Sequence, residues 1–462
     1  MKKTVTAVLD VGIIQKKLIL FDENFEVVDI ASEKLAKTKD DDGFEGDDIQ
    51  LLNQWATETW NKLVSSDQYD VKALNFSTYG ATFMHIDESG NTLTPLYSYL
   101  KPFDEDLEAQ FYGKYGEKVK FALETCSPPL GMLNSGLQIY WLKYKKPEVY
   151  NRIKYSLHLP QYMAYLFTKE ATTEYTSIGC HTGIWNFRRR DYHQWVKDEG
   201  IDKIIPEFST SPVVGHWEGQ GKQIPVGTGL HDSSSALRTY LHLFDEKFLL
   251  LGMTDTWCIT LNPFDHSPLR PEDVSQDCLQ YLTVQGRRVK ASRFFIGNEH
   301  GYQFNRMAKH FGKPLDYHKN VKFDESLFNK AQATSKGDAR SLVPHSFDAS
   351  GAHKSDTGGE KEWDLSIFES FEDAYHQLMR DLISFFEPAI AIAARKGLPK
   401  YLIVDGEFTD DEIFLHTLSK VYPSVEVLVP NMPEGAATGA ALLINQYLDP
   451  QMKKPELGFK KY

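Results

Sequence analysis

Residues 224–237 read IPVGTGLHDSSSAL: a short apolar run, two glycines in a turn, and then Asp232 directly ahead of three serines and an apolar helical register. An acid in that position has two readings. It caps the helix, its carboxylate accepting a hydrogen bond from a backbone N–H two or three residues on. Or it is a general base, because a glycine turn lets a substrate approach closely and a helix N-terminus favours the ionised form.

Working outward, the residues before this stretch alternate strand and turn. TVTAVLDVG (4–12), KKLILFD (16–22) and EVVDIAS (26–32) are rich in β-branched and large apolar residues and read as an antiparallel meander. Asp48 is placed to cap a helix that carries Ile49, Leu52, Trp55, Ala56, Trp60 and Leu63 at three- and four-residue spacing. The strand ALNFSTYG (73–80) follows. Strands that lead into a helix and back to a strand predict an α/β sheet covered by helices.

The second half repeats the theme. FLLLGMTDTWCITLNP (248–263) is two apolar runs around a polar turn, and a long amphipathic helix, about 367–396, leads to the strand YLIVDG (401–406). The strand VEVLVP (425–430) and the small-residue helix GAATGAALLINQYL (435–448) close the chain. Two similarly built halves are expected, with a boundary near residue 240, where HLFDEKF (242–248) bridges them. The polar stretch 333–362 reads as a surface loop.

A length of 462 residues exceeds what one hydrophobic core usually organises, so two domains with a cleft between them are the expectation. The composition, 41% hydrophobic and 25% charged, is that of a folded globular protein. A net charge of −13 argues against nucleic acid and against an anionic membrane as partners. Cys126, Cys180, Cys258 and Cys278 form no CxxC pair and read as reduced thiols packed as small apolar groups. Asp10 interrupts the first apolar run before it reaches signal-peptide length, and no stretch reaches the roughly 18 apolar residues of a membrane span. A cytoplasmic location is expected.

IPVGTGLHDSSSAL resembles the stretch of FGGY carbohydrate kinases that runs P-V-x-x-G-x-x-D-x-x-A-A-A, whose Asp takes the proton of the sugar hydroxyl. Six further segments agree in the same order. AVLDVG (7–12) resembles that family's first phosphate turn, FSTYGA (76–81) its sugar-contacting turn and SIGCHTGIWNF (177–187) its substrate-side strand. LGMTDTWCITLNP (251–263) resembles the second phosphate turn, IVDGEFTDDEIF (403–414) the adenosine turn and PEGAATGAALLI (433–444) the closing helix.

The resemblance implies an α/β, two-lobed actin-like ATPase (ribonuclease H-like) fold, each lobe a mixed sheet flanked by helices. Residues 1–240 would form the sugar-binding lobe and 241–462 the nucleotide-binding lobe. The implied reaction moves the terminal phosphoryl of ATP, with Mg²⁺, to a five- or six-carbon sugar, a ketose being expected. By the same resemblance Asp232 is the catalytic base, Asp10 the Mg²⁺ carboxylate and Gly12 the close-approach position of the first turn, whereas the residues alone also fit an ordinary hairpin turn. Thr78, Tyr79 and Gly80 fall where the family touches the sugar; Tyr79 equally suits the end of a buried strand. His181 and Trp185 alternate so as to share a strand face and line the sugar pocket, or His181 is simply packed. Thr254, Asp255 and Thr256 belong to the second phosphate turn, Gly406 and Glu407 to the adenosine turn. Relatives are often homodimers.

Three departures fall on the nucleotide side. DVGIIQKK puts Ile13 and Ile14 where hydroxyls are expected, MTDTW puts Asp255 where a glycine is expected, and Glu407 replaces the second glycine of a pair. A carboxylate about 4 Å from a phosphate oxygen is repelled by several kcal/mol at intermediate dielectric. Lys16 or Lys17 is the expected source of compensating charge, and a sugar-binding pseudokinase is the alternative reading.

Overall fold

The first thirty residues form the expected meander. β1 (Lys3–Val11) pairs antiparallel with β2 (Lys16–Phe21), and β2 with β3 (Val27–Glu33). Helix α1 (Ile49–Val64) then returns the chain to β4 (Tyr69–Thr78), which lies parallel to β1. Asp48 caps α1, its Oδ1 accepting from the N–H groups of Gln50 at 2.8 Å and Leu51 at 3.2 Å, a contact worth about 1 kcal/mol. All six apolar positions of the helical register are buried, and the Trp60 ring meets Phe167 and Trp217 edge-on.

The computed structural model describes residues 2–253, 257–294, 296–342, 344, 362–431 and 434–462. Most of the predicted 333–362 loop lies outside the described residues, as does the turn at 254–256.

Among the described residues the strands make two principal sheets. The first runs β5-β6-β4-β1-β2-β3, with β5 (Val213–Gly219), β6 (Lys222–Gly227) and the two-residue β7 (Leu230–His231) paired beside β4. The second is built from β8 (Phe248–Met253), β9 (Cys258–Asn262), β10 (Cys278–Leu282), β11 (Arg288–Phe294), β12 (Tyr401–Gly406), β13 (Glu426–Pro430) and β14 (Phe459–Lys461). Its order is β10-β11-β9-β8-β12-β13-β14. Both sheets share one plan. A strand is flanked by an antiparallel hairpin partner on one side (β1–β2, β8–β9) and by a parallel strand on the other (β4, β12).

Two helices join the sheets. α2 (Asp232–Leu243) puts Leu237 and Tyr240 among Phe248, Leu250 and Ile403 of the second sheet. α4 (Gly435–Leu448), which follows α3 (Phe371–Ala393) in the chain, puts Ala437, Ala440, Ala441 and Leu442 against Val8, Ile19 and Phe21 of the first. The helix from each half therefore covers the other half's sheet, and α2 and α4 pack together. Ser235 Oγ donates to Ala436 O at 2.6 Å and Thr239 Oγ1 to Gly435 O at 2.7 Å. A Cβ on Gly439 would lie 1.8 Å from Ser235 O, so the close approach needs glycine.

One predicted strand is absent. SIGCHTGIWNF begins in the short helix Tyr175–Ile178, turns through His181 at φ +41°, and is extended only at Trp185–Asn186. The alternation that would have put His181 and Trp185 on one face therefore does not apply. The four cysteines are buried and free, and among the described residues no helix is long and apolar enough to cross a membrane.

Candidate active site

The ends of β1, β4 and β8, the start of α2 and the β10–β11 hairpin surround a cavity of about 470 Å³. Asp232 stands in its wall as the first residue of α2, and His231 takes the capping position without a side-chain bond. The capping reading of Asp232 thus fails on geometry. Its Oδ1 accepts from Ser233 N at 2.5 Å and Ser233 Oγ at 3.0 Å, and lies 3.4 Å from His231 Nε2. The side chain is 37% exposed, open to the cavity. The turn before it is fixed by Gly229 at φ +72°, where a Cβ would press within 2.4 Å of Pro160 O, and by His231 N donating to Thr176 Oγ1 at 3.0 Å.

Asp10 and Gly12 line the same cavity at the β1–β2 turn, where Gly12 N donates to Gln15 O at 2.9 Å. Across the ladder from Asp10, Lys17 reaches Glu434 Oε1 at 2.8 Å. Lys16 turns away, buried against Asp47 at 3.2 Å, so of these two lysines it is Lys17 that faces the cavity. Ile13 and Ile14 stand at the mouth, both exposed. Glu407 lines the opposite wall, and Gly406 at φ +102° admits no Cβ, which would fall 2.0 Å from Met253 O. Thr254, Asp255 and Thr256 lie outside the described residues.

Burial, with Glu434 adding to it and Lys17 opposing it, pushes the Asp10 carboxyl up to about 7. Burial likewise pushes Asp405, at the end of β12, up to about 6 despite a hydrogen bond from Tyr240. Asp405 Oδ1 is buried with no partner among the described residues, and Gly435 leaves the carboxylate room, since a Cβ there would sit 2.0 Å from Oδ2. Asp10 and Asp405, both pushed up by burial and both acted on by Glu434, offer oxygens of the kind a hard divalent cation takes, Asp405 with one to spare.

On the far wall Tyr79, Gly80 and His181 reach the cavity. The Tyr79 hydroxyl is held by Asp47 at 2.7 Å, which leaves its ring face to the cavity. Thr78 is buried in β4, its hydroxyl donating to Tyr79 O at 2.8 Å, and does not line the space. Nor does Trp185, which packs edge-on to Tyr175, Tyr192 and Phe208.

Sequence reasoning missed His231, Tyr281, Arg293 and Trp257, which complete this wall. Arg293 is clamped by Asp277 at 2.7 and 3.0 Å and stacks on Trp257, 4.8 Å from its ring centre. Its strand sequence RVKASRF (288–294) already mixes Arg288, Lys290 and Ser292 with apolar residues, so nothing in it singled out Arg293. Ligand atoms of Cys180, His181 and His231 lie within 4.8 Å of one another. Burial holds both imidazoles low, Arg293 adding to the effect at His181, and drives the Cys180 thiol up, Asp232 adding to that. Neutral imidazoles facing a cavity donate to and accept from hydroxyls.

Residues 5–238 match the N-terminal domain of the FGGY family of carbohydrate kinases. The chain is 25% identical over 223 residues to a xylulose kinase of Staphylococcus epidermidis, 46% of this chain and 42% of the relative. It is 27% identical over 195 residues to a rhamnulokinase of Halalkalibacterium halodurans, 40% of this chain and 41% of the relative. The chain thus matches about two fifths of the length of these curated relatives. Among solved structures, a carbohydrate kinase from Novosphingobium aromaticivorans superposes with a TM-score of 0.77 at 21% identity, covering 100% of this chain and 94% of that one. That likeness gives the fold, two actin-like lobes over a cleft. The family match spans half the chain, and this chain belongs to the FGGY family of carbohydrate kinases.

Proposed function

We propose that the protein transfers the terminal phosphoryl group of ATP to a primary hydroxyl of a five- or six-carbon ketose, with Asp232 as general base. The observation that carries this is the meeting of Asp232, the β1–β2 phosphate turn and the Tyr79–His181–Arg293 wall in one cavity. Residues 1–240 serve as the sugar lobe and 241–462 as the nucleotide lobe. Phosphoryl transfer asks mainly that the acceptor be held in line and the phosphate charge be neutralised.

Each group has a place in that task. The Tyr79 ring offers an apolar face to the sugar, His181 and His231 are neutral partners for its hydroxyls, and the Asp232 carboxylate accepts the acceptor's proton. Lys17 and the turn at Gly12 meet the phosphates. Mg²⁺, held by Asp10 with Asp405, supplies charge neutralisation on the phosphates when bound. Closure of the lobes excludes water.

The test is ADP release with Mg·ATP over a panel of ketoses and polyols. Asp232→Asn is expected to lower kcat by about 10²–10⁴-fold with the sugar still bound. Unchanged turnover in that variant sinks the assignment. Ile13, Ile14 and Glu407 in the cavity wall favour a second reading, a protein that binds sugar without transfer, which the same assay reports as sugar binding without ADP release.

A further inference from the structure

Away from the cleft, the outer side of α2 and the tip of the β10–β11 hairpin enclose a different space. A cavity of about 420 Å³ is lined by Arg238, His242, His266 and Arg287. It shares His266 and Arg287 with a neighbouring cavity of about 450 Å³, which Arg188, Arg190 and Arg288 also line. Among the described residues no carboxylate lines either cavity. This is a concentrated cationic groove on a chain whose net charge is −13.

The arginines are unspent. Arg288 donates to the carbonyl of Phe187 at 2.6 Å, which fixes one guanidinium across the gap between the two chain segments. No ion pair engages Arg188, Arg190 or Arg287 among the described residues. Arg238 is more telling. One nitrogen of its guanidinium donates to Gln446, whose amide contacts His242 Nδ1 at 2.9 Å, while Arg238 Nε and His242 Nε2 are buried with no hydrogen-bond partner among the described residues. Burial alone, with no carboxylate to offset it, pulls Arg238 down to about 10. Like charges gathered without counter-ions cost stability, and a planar guanidinium fork matches phosphoryl oxygens two at a time.

We propose that this groove binds a small polyanion carrying two or more phosphoryl groups, at a site separate from the catalytic cleft. Because the two cavities meet at His266 and Arg287, one ligand can offer a phosphoryl group to each, one toward Arg238 and Arg287, the other toward Arg188 and Arg190. Occupancy ties the 185–190 segment to the hairpin and to α2. Those elements also carry Asp232, Tyr281 and Arg293 into the cleft.

The experiment is calorimetric titration of the full chain with pyrophosphate and, separately, a pentose bisphosphate, at fixed ionic strength and without nucleotide. Because binding is read without turnover, the result is independent of whether the chain transfers phosphate. One site is expected that survives Asp10→Asn, a change in the cleft, and weakens at least tenfold in Arg188→Gln/Arg287→Gln. The tighter ligand names the source, inorganic or organic. Arg188 and Arg287 lie at the surface, and circular dichroism of the double variant with the single variant Arg287→Gln guards against misfolding. Equal binding by the double variant, loss of binding in Asp10→Asn, or equal stabilisation by sulfate would overturn the proposal. So would tighter binding of a short single-stranded oligonucleotide than of either small ligand.

Discussion

Lys17 Nζ lies 2.8 Å from Glu434 Oε1, a contact between residues 417 positions apart that ties the first hairpin to the start of the closing helix. Asp10 and Glu407 act on the same ammonium. Lys17 therefore draws together carboxylates from three separate segments of the chain, beside the exposed Ile13 and Ile14 of the first hairpin turn.

Replacing that charge should be costly for nucleotide. Lys17→Met removes the cation and leaves Asp10, Glu434 and Glu407 uncompensated beside the phosphates. ADP affinity in metal-free buffer is expected to fall about tenfold, equivalent to about 1.4 kcal/mol, with partial recovery on adding Mg²⁺. Calorimetric titration checks it; an unchanged affinity would show that the phosphates do not meet this residue.

The raised carboxyls give a signed pH dependence. Between the ordinary aspartate value of 3.8 and about 7 the folded chain holds a proton on Asp10 that the unfolded chain has released. That contribution is fully present below the lower value and is lost as pH rises through the upper one. Buried His85 and His158, pulled down to about 3 by burial from 6.5, give the opposite slope at lower pH, so the clean window lies above 6.5. In metal-free buffer the melting temperature should fall by a few degrees between about pH 6.5 and 8. Mg²⁺ should restore it, and Asp10→Asn should flatten the profile. A profile identical in wild type and variant contradicts the Asp10 shift.

Gly80 keeps His231 in place beside Asp232. A Cβ there would fall 2.5 Å from His231 Cδ2 and 2.7 Å from Nε2, the same nitrogen that Cys180 Sγ contacts at 3.1 Å. Gly80→Ala must displace the imidazole that stands 3.4 Å from Asp232. About 1–3 kcal/mol of stability should go with it. Under the proposed reaction kcat should drop by about tenfold, roughly 1.4 kcal/mol of barrier, while the KM for ATP holds. A fall in ATP affinity alone would place the clash on the wrong side of the cleft.

Much of the frame around this cavity is legible in the sequence. β-Branched runs broken by Gly12 gave the hairpin, Asp48 marked its helix, and the glycine turn ahead of Asp232 marked the wall of the cavity. His181 lines the cavity, but not through the strand alternation with Trp185 that the sequence suggests. Period-two alternation assumes a strand, and the chain there is a left-handed turn that sends Trp185 into an aromatic cluster instead. Tyr281 and Arg293 were invisible because they enter from the second sheet, through a strand pairing that separates them from Asp232 by dozens of residues. Asp405 was passed over as part of a strand; only the absence of a partner for its Oδ1 singles it out.

The joint between α2 and α4 yields the sharpest stability test. A Cβ on Gly439 would meet the backbone of Ser235 at 1.8 Å to O and 2.6 Å to C, and backbone cannot swing aside as a flexible side chain would. Gly439→Ala must wedge the helices apart. Because α2 packs on the second sheet and α4 on the first, the strain reaches both cores. A loss of about 3 kcal/mol is expected, the upper end for overpacking. Gly113→Ala is the control: it lies within the helix Glu105–Tyr115, has no atom within 4 Å of its added Cβ, and should gain about 0.5–1 kcal/mol from helix propensity. Urea melts of the two variants should move to opposite sides of wild type, and a Gly439→Ala midpoint at or above the wild-type value would mean that the two helices do not meet this closely.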